Sequence, residues 1–480
     1  MMRCILASFI ATLFLTLGFS QNFSSSTLNG ESINNPTSLQ FGPDGRLYVS
    51  QQNGLILAYT ISRNGSGNYQ VTATETIDEV KGIQNHNDDG TLNNNNNRQV
   101  TGLLVTGTAN NPVLYVSSSD PRIGGGGGGS DLNLDTNSGV VSRLIRNGNN
   151  WNKVDLVRGL PRSEENHASN GLQLNAAGNK LILAQGGHTN AGAPSNNFAF
   201  TTEYALSAAI LEIDLNALNA MPVKNDNVNN AQYIYDLPTV DDPTRANSGG
   251  QDQNDPFGGN DGLNQARIVP GGPVQIYASG FRNIFDVLMT ESGHLYTWDN
   301  GANRGWGGHP ANEGGGNATN NWISGEPGST GSGPNDPVVN NLDGLHLVTK
   351  GYYGGHPNPI RANPSGAGLF THNSSNGGSA GLWRTNKSNN ANTSLPSDWP
   401  PLPNNLANPI EGDFQNPGQS DQSLFTLSAS TNGMAEYTAS NFNGNLAGNL
   451  LAVSFNGNLY SIDVNNACLL YTSPSPRDRG

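Results

Sequence analysis

The chain is expected to fold as an all-β propeller with long polar loop insertions, and three observations carry that expectation. The first is composition: 61 glycines and 27 prolines in 480 residues, abundant asparagine, and only 12% charged residues. Gly, Asn and Pro serve tight turns, whereas long helices favour Ala, Leu, Glu and Lys. The second is a recurring antiparallel hairpin pattern with no helical pattern between copies. The third is spacing. The runs Leu47-Tyr48-Val49, Leu114-Tyr115-Val116 and Leu181-Ile182-Leu183 begin at positions 47, 114 and 181, an even step of 67 residues. That step exceeds a WD or kelch repeat and leaves room for long loops. Repeated four-stranded units without helices suggest propeller blades. A pair of β-sandwiches and a right-handed β-helix are the alternative architectures. The regular step argues against the first, and the lack of a short repeat against the second.

In chain order, the first hairpin joins Thr37–Phe41 to Arg46–Ser50 through Gly42-Pro43-Asp44-Gly45, a turn sequence between two apolar-alternating runs. Gly102–Val105 and Pro112–Ser117 form the second, and Gly171–Leu174 and Lys180–Gln185 the third, around Asn175–Asn179. Ile284–Met289 and His294–Trp298 form the fourth, around Thr290–Gly293. Ala435–Ala439 and Asn449–Ser454 form the last, around Gly444–Gly448. Further strands are expected at Leu55–Ile61, Val140–Arg146, Lys153–Val157, Ala208–Leu215 and Asn458–Val464. Residues 220–265, 303–341 and 360–423 are polar insertions within one domain, because hairpins resume after each. The glycine run 124–129 is loop material, since no helix with a Lys-Ser/Thr follows it to make a phosphate loop.

A net charge of −14 argues against nucleic acid as the main partner, since a phosphate backbone needs a basic face. Residues 1–20 have a basic start at Arg3, an apolar stretch and small residues before Gln21, which reads as a secretory signal peptide and implies a secreted or periplasmic protein. No later segment is apolar enough to span a bilayer. Cys4 lies in that leader and Cys468 stands alone, so no intramolecular disulfide is expected in the mature chain. Sequons occur at Asn22, Asn64, Asn317, Asn373, Asn386 and Asn392. Residues 21–467 form the expected domain. Residues 468–480 do not continue the β pattern and resemble an adapter-derived, non-native tail.

If each hairpin mouth faces the same end of the propeller, the mouths gather a distinctive set of groups. The second brings Arg98, Gln99 and Ser118–Asp120; the third Asn166, His167 and Gly186–His188; the fourth Arg282, Asn283 and Asp299–Asn303. A histidine can take a hydroxyl proton as general base. An arginine can polarise a carbonyl that accepts electrons. Backbone oxygens of a glycine turn can hold calcium. This set suits oxidation of an alcohol, and hydride removal needs a cofactor. No strand–GxGxxG–helix pattern is present, so NAD and FAD are poor candidates. A propeller lactonase or hydrolase would want carboxylates clustered on a central calcium, and no such cluster is visible. His294, His309, His346 and His356 show no metal-type spacing.

Four ordered motifs carry a family resemblance: Asn166–Leu174 (NHASNGLQL) with Gly178–Gly187, Ala278–Val287 (ASGFRNIFDV), Tyr296–Asn303 (YTWDNGAN), and Leu345–Pro359 (LHLVTKGYYGGHPNP). Over about Pro36 to Val464 the chain resembles the soluble quinoprotein glucose/sorbosone dehydrogenase family. The resemblance implies a six-bladed β-propeller, its last blade incomplete in this chain, that uses pyrroloquinoline quinone (PQQ) and calcium. It implies a sugar or other alcohol or aldehyde as substrate and a separate electron acceptor. His167 would be the catalytic base. Arg282 and Asn283 would contact the quinone, and the Gly301 and Ala302 carbonyls would hold its calcium, with Asp299 and Asp343 as further metal candidates. Gln99 and His188 would face the substrate. Tyr437–Ser440 lacks the lysine that the family places on its late strand. The acidic cluster before the Leu345–Gly351 strand is reduced to Asp343-Gly344. These departures keep open the alternative of a non-catalytic secreted propeller that binds glycan or protein through its channel face.

Overall fold

The computed structural model describes residues 25–245, 255–310, 339–365, 369–370, 383–384, 395–428, 430–464 and 468–474. The leader, the sequons at Asn22, Asn317, Asn373, Asn386 and Asn392, and the end of the C-terminal stretch lie outside them.

The described strands make five sheets of four or more strands in chain order. Four of them take an expected hairpin as their first antiparallel pair, and the fifth pairs Thr431–Glu436 where Ala435–Ala439 was expected. The opening pairs are Pro36–Phe41 with Leu47–Gln51, Gln99–Gly107 with Pro112–Ser119, Ser169–Leu174 with Lys180–Gln185, Ile284–Met289 with Leu295–Asp299, and Thr431–Glu436 with Leu450–Ser454. The fifth sheet ends with Cys468–Pro474 paired antiparallel to Asn458–Asp463, so the segment expected to leave the β pattern continues it as far as Pro474.

Side-chain alternation turns these sheets into a propeller-like arrangement, because consecutive residues of a strand point to opposite faces. In the second sheet Leu114 and Val116 pack toward Tyr48 and Ile56 of the first, while Tyr115 packs toward Leu172 and Leu183 of the third. In the third sheet Ile182 and Ala184 face Ile284 and Val287 of the fourth. In the fourth, Leu288, Tyr296 and Trp298 face Leu450, Ala452 and Tyr460 of the fifth. Each inner sheet thus buries one face on its predecessor and the other on its successor. Five such sheets stand among the described residues, where six blades were expected.

The first strands of successive sheets lie side by side. Glycines permit the closest approaches. A Cβ on Gly102 would meet the Asn170 carbonyl oxygen at 2.2 Å, and one on Gly171 would meet Asp286 Oδ1 at 2.5 Å. Asp286 lies on the fourth sheet's first strand and accepts the amide of Met434 on the fifth (3.3 Å), stitching neighbouring sheets together.

Candidate functional site

His167 sits just before the third sheet's first strand, in a turn closed by Ser163, whose Oγ accepts the amides of Asn166 (3.1 Å) and His167 (2.8 Å). Across the hairpin mouth, the His167 ring places Nδ1 2.8 Å from the Gly187 carbonyl oxygen. A carbonyl can only accept, so Nδ1 carries the proton and Nε2 keeps its lone pair. Gly186 lets the two chains approach, since a Cβ there would stand 2.7 Å from His167 Cβ. Burial, with the Arg282 guanidinium second, holds the imidazole well below the usual histidine range, so it is neutral at physiological pH. A neutral imidazole with a fixed tautomer is the form a general base needs.

Arg282 and Asn283 follow the third sheet's last strand, and Asp299 fixes their backbone. Its Oδ2 accepts the Arg282 amide (2.9 Å) and its Oδ1 the Asn283 amide (2.8 Å). The buried guanidinium donates from Nε to Asn190 Oδ1 (3.2 Å) and lies 5.6 Å from the Phe198 ring centroid. Asn190 Oδ1 also accepts the Asn303 amide (2.9 Å), and the Gly187 amide donates to the Arg282 carbonyl (2.8 Å). Residues 187–190 therefore tie the histidine, the arginine and the Asp299–Asn303 turn into one unit.

That unit is anchored from behind by Glu203, which is fully buried. Its carboxylate accepts the amides of His188 (3.0 Å) and Thr189 (2.9 Å), Thr189 Oγ1 (2.7 Å), His356 Nε2 (2.9 Å) and the Ser207 hydroxyl. Burial alone would raise its pKa; the donors, His356 foremost, outweigh that and keep it well below the usual glutamate range.

These elements surround a polar cavity of about 220 Å³. Of the residues expected at the site, Gln99, His167, Arg282, Asn283, Gly301 and Asp343 line it. Gln99 reaches across sheets, donating to Asn166 Oδ1 (3.0 Å) and accepting from Arg162 (3.2 Å). Asp343 accepts the amides of Thr431 (2.9 Å) and Gly301 (3.3 Å), and burial raises it to about 6. Gly301 is pressed against the chain behind it, since a Cβ there would lie 1.9 Å from the Leu342 carbonyl oxygen.

Four expected residues lie elsewhere. His188 corrects the expectation of a substrate contact. Its amide is drawn back to Glu203, and its buried ring packs on Tyr204 with centroids 4.1 Å apart, away from the cavity. Ala302 packs with Ala191 and Val339 just behind the lining. Asp299 serves the Arg282 and Asn283 amides, and burial raises it to about 7. Arg98, expected at a mouth, is buried between Asn85, Ser118 and Ser138. Among the described residues no three His, Cys, Asp or Glu side chains converge as metal ligands, so a cation here would rely on carbonyls and one carboxylate.

Sequence reasoning missed Glu165, Asn170, Trp306 and Asn432 in the lining, and Asn190 and Glu203 behind it, while Asn300 lies in the expected Asp299–Asn303 turn. A carboxylate two residues before a candidate base is a local signal that could have revealed Glu165. Asn170 lies three residues after His167, while Trp306, Asn432, Asn190 and Glu203 join the site from other segments.

No family model matches the chain, and no curated protein does. Among solved structures it is similar to the PQQ-bound aldose sugar dehydrogenase of Streptomyces coelicolor (12% identity, TM-score 0.40, covering 93% of this chain and 83% of that one). It is also similar to a family AA12 carbohydrate-active enzyme of Trichoderma reesei, solved with calcium (14%, 0.44, 94% and 83%), and to the PQQ domain of pyranose dehydrogenase from Coprinopsis cinerea (11%, 0.43, 93% and 80%).

Proposed function

We propose that this protein is a secreted or periplasmic oxidoreductase that oxidises a sugar, or another alcohol or aldehyde, with His167 as general base. The observation that carries this reading is the neutral, tautomer-fixed His167 beside Arg282 in a polar cavity. Among the described residues, no helix is long and apolar enough to cross a membrane.

The donor set fits a planar, anionic group accompanied by calcium. Arg282 supplies positive charge, Gln99, Asn170, Asn283 and Asn300 supply amides, and Trp306 and Phe285 supply aromatic walls. Asn432 Oδ1 is buried in this lining without a hydrogen-bond partner among the described residues. Arg282 and Asn283 would hold the quinone, and the Gly301 and Ala302 carbonyls with Asp343 its calcium. The quinone, when bound, supplies the hydride acceptor. His167 Nε2 takes the substrate hydroxyl proton, Gly187 and Glu203 keep the imidazole oriented, and Arg282 stabilises negative charge on a neighbouring oxygen.

A sixth blade belongs to the same reading. The first sheet has an apolar face whose edge strand exposes Leu39 (66%) and Phe41 (62%). The fifth has one bearing Leu451 and Val453 (47%). Among the described residues neither face is covered by another sheet, and a blade between them would cover both.

One observation favours a second reading, a propeller that binds glycan without turnover: among the described residues Arg282 is the single cationic side chain in a cavity lining otherwise rich in amides. The test is dye reduction with a panel of aldoses after adding calcium and PQQ. Turnover abolished by His167→Ala supports the enzyme. Saturable sugar binding with neither quinone binding nor turnover supports the binding module.

A further inference from the structure

We infer that Glu165 is the proton acceptor for His167, carrying the substrate's hydroxyl proton from imidazole Nε2 to solvent. The inference rests on the base assignment above and extends it to a residue with no role so far.

Glu165 lines the same cavity, and its Oε2 lies 3.5 Å from His167 Nε2, the one ring nitrogen left free by the Gly187 contact. The histidine side chain is only 5% exposed, while the Glu165 side chain is 25% exposed, so the carboxylate bridges a buried nitrogen and water. A base in this position has a difficulty of its own. Burial and Arg282 both disfavour the imidazolium, so a proton accepted there must leave before the next turnover. The charged and titratable groups facing the pair are Arg282 and Arg162 on the Glu165 side, and Arg282, Glu203 and His356 on the His167 side. The nearer anion to Nε2 is Glu165, because Glu203 spends its oxygens on residues 188–189, Ser207 and His356.

The transfer balances simply. The substrate O–H bond breaks as the N–H bond forms at Nε2. That N–H bond then breaks as an O–H bond forms on Glu165, leaving neutral imidazole and a neutral carboxyl. Burial raises the Glu165 pKa, which makes its carboxylate a better acceptor than an exposed glutamate. The carboxyl then releases its proton to water and the pair is reset.

The test reads the histidine directly and needs no loaded cofactor. The pKa of His167 is measured by histidine hydrogen–deuterium exchange mass spectrometry in the wild-type protein, Glu165→Gln and Glu165→Asp. An opposed charge at this distance is worth about 1–3 pKa units. Glu165→Gln is expected to lower the His167 pKa by that amount, and Glu165→Asp to preserve most of it. In protein loaded with calcium and PQQ, Glu165→Gln is expected to lower kcat about tenfold or more with a smaller change in KM, and added formate or acetate to restore part of the loss. An unshifted His167 titration in Glu165→Gln overturns the inference, as does a shifted titration with wild-type kcat. If the wild type itself does not reduce dye, the enzyme reading fails while the titration still decides whether Glu165 and His167 are coupled.

Discussion

At the scale of single residues, the site depends on which protonation state each group is held in. His167 has a depressed pKa, so the folded protein carries it neutral through the physiological range. A base must be unprotonated to act. Activity is therefore expected to be flat across neutral pH, with its acid limb well below pH 6.5, and to be lowered by about 10²–10⁴-fold in His167→Ala. A pH profile of kcat/KM checks this, and an acid limb centred near 7 would contradict the depressed titration. Arg282→Lys is expected to be nearly as damaging as removal. Lysine has no second nitrogen to keep the Asn190 contact while facing the cavity. Quinone affinity measured by fluorescence or calorimetry tests that loss. His167 and the Arg282-Asn283 pair were legible in the sequence because each sits at a hairpin mouth. Glu203 was not. Its role comes from four donors spread over 188–207 and from His356, more than 150 positions on, and spacing along the chain encodes none of that.

At the scale of elements, the hairpins were legible almost to the residue because two signals coincide: period-two apolar alternation and a Gly/Asn/Asp turn. Ile284–Met289 and Lys180–Gln185 have the expected bounds. The fifth sheet's first strand was misplaced, Thr431–Glu436 rather than Ala435–Ala439. Gly433, opposite Val453, and a register shift beside it break the alternation that would have marked the strand. Short elements that hold the site from outside were not legible at all. Arg361, in the four-residue helix Pro359–Ala362, is buried, donates to the carbonyls of Ala205, Ser207 and Ala208, and pairs with buried Glu411. Arg361→Met is expected to destabilise the protein by about 3–5 kcal/mol, because it strands a buried carboxylate. It should also loosen the 203–208 segment that carries Glu203. Equilibrium denaturation measures the first effect and proteolysis near 205 the second. Gly301→Ala is expected to abolish any calcium-dependent rise in Tm, since the new methyl collides with the Leu342 carbonyl.

For the whole molecule, the sheets bury several carboxyl groups that do not line the cavity. Burial raises Asp135 and Asp286 to about 7 and Glu164 to about 8. Between their unfolded and folded values, the folded protein binds more protons than the unfolded chain, so stability falls as pH rises. The buried histidines His86, His188 and His346, lowered to about 4, push the other way, but only up to the ordinary histidine range near 6.5. From pH 6.5 to 8 the acids act alone, and stability is expected to decrease steadily across that window. Asp286→Asn should flatten the slope. Denaturant midpoints at pH 6.5, 7.3 and 8 check both, and a rising or level trend would contradict the burial of these acids.

The stacking of successive sheets has a kinetic side as well. Each sheet is largely a local meander whose strands can zip soon after synthesis, whereas the cavity draws Gln99 from the second sheet, His167 from the mouth of the third, Asp343 from the fourth and Asn432 from the fifth. It can therefore exist only after the seams between sheets have closed, which is the slow, non-local part of assembly. A ligand seated there would act as a strap across three seams at once. It would slow their reopening and leave the interior of each meander exchanging as before, so hydrogen exchange should show its protection at Gly102, Gly171 and Met434 before anywhere else.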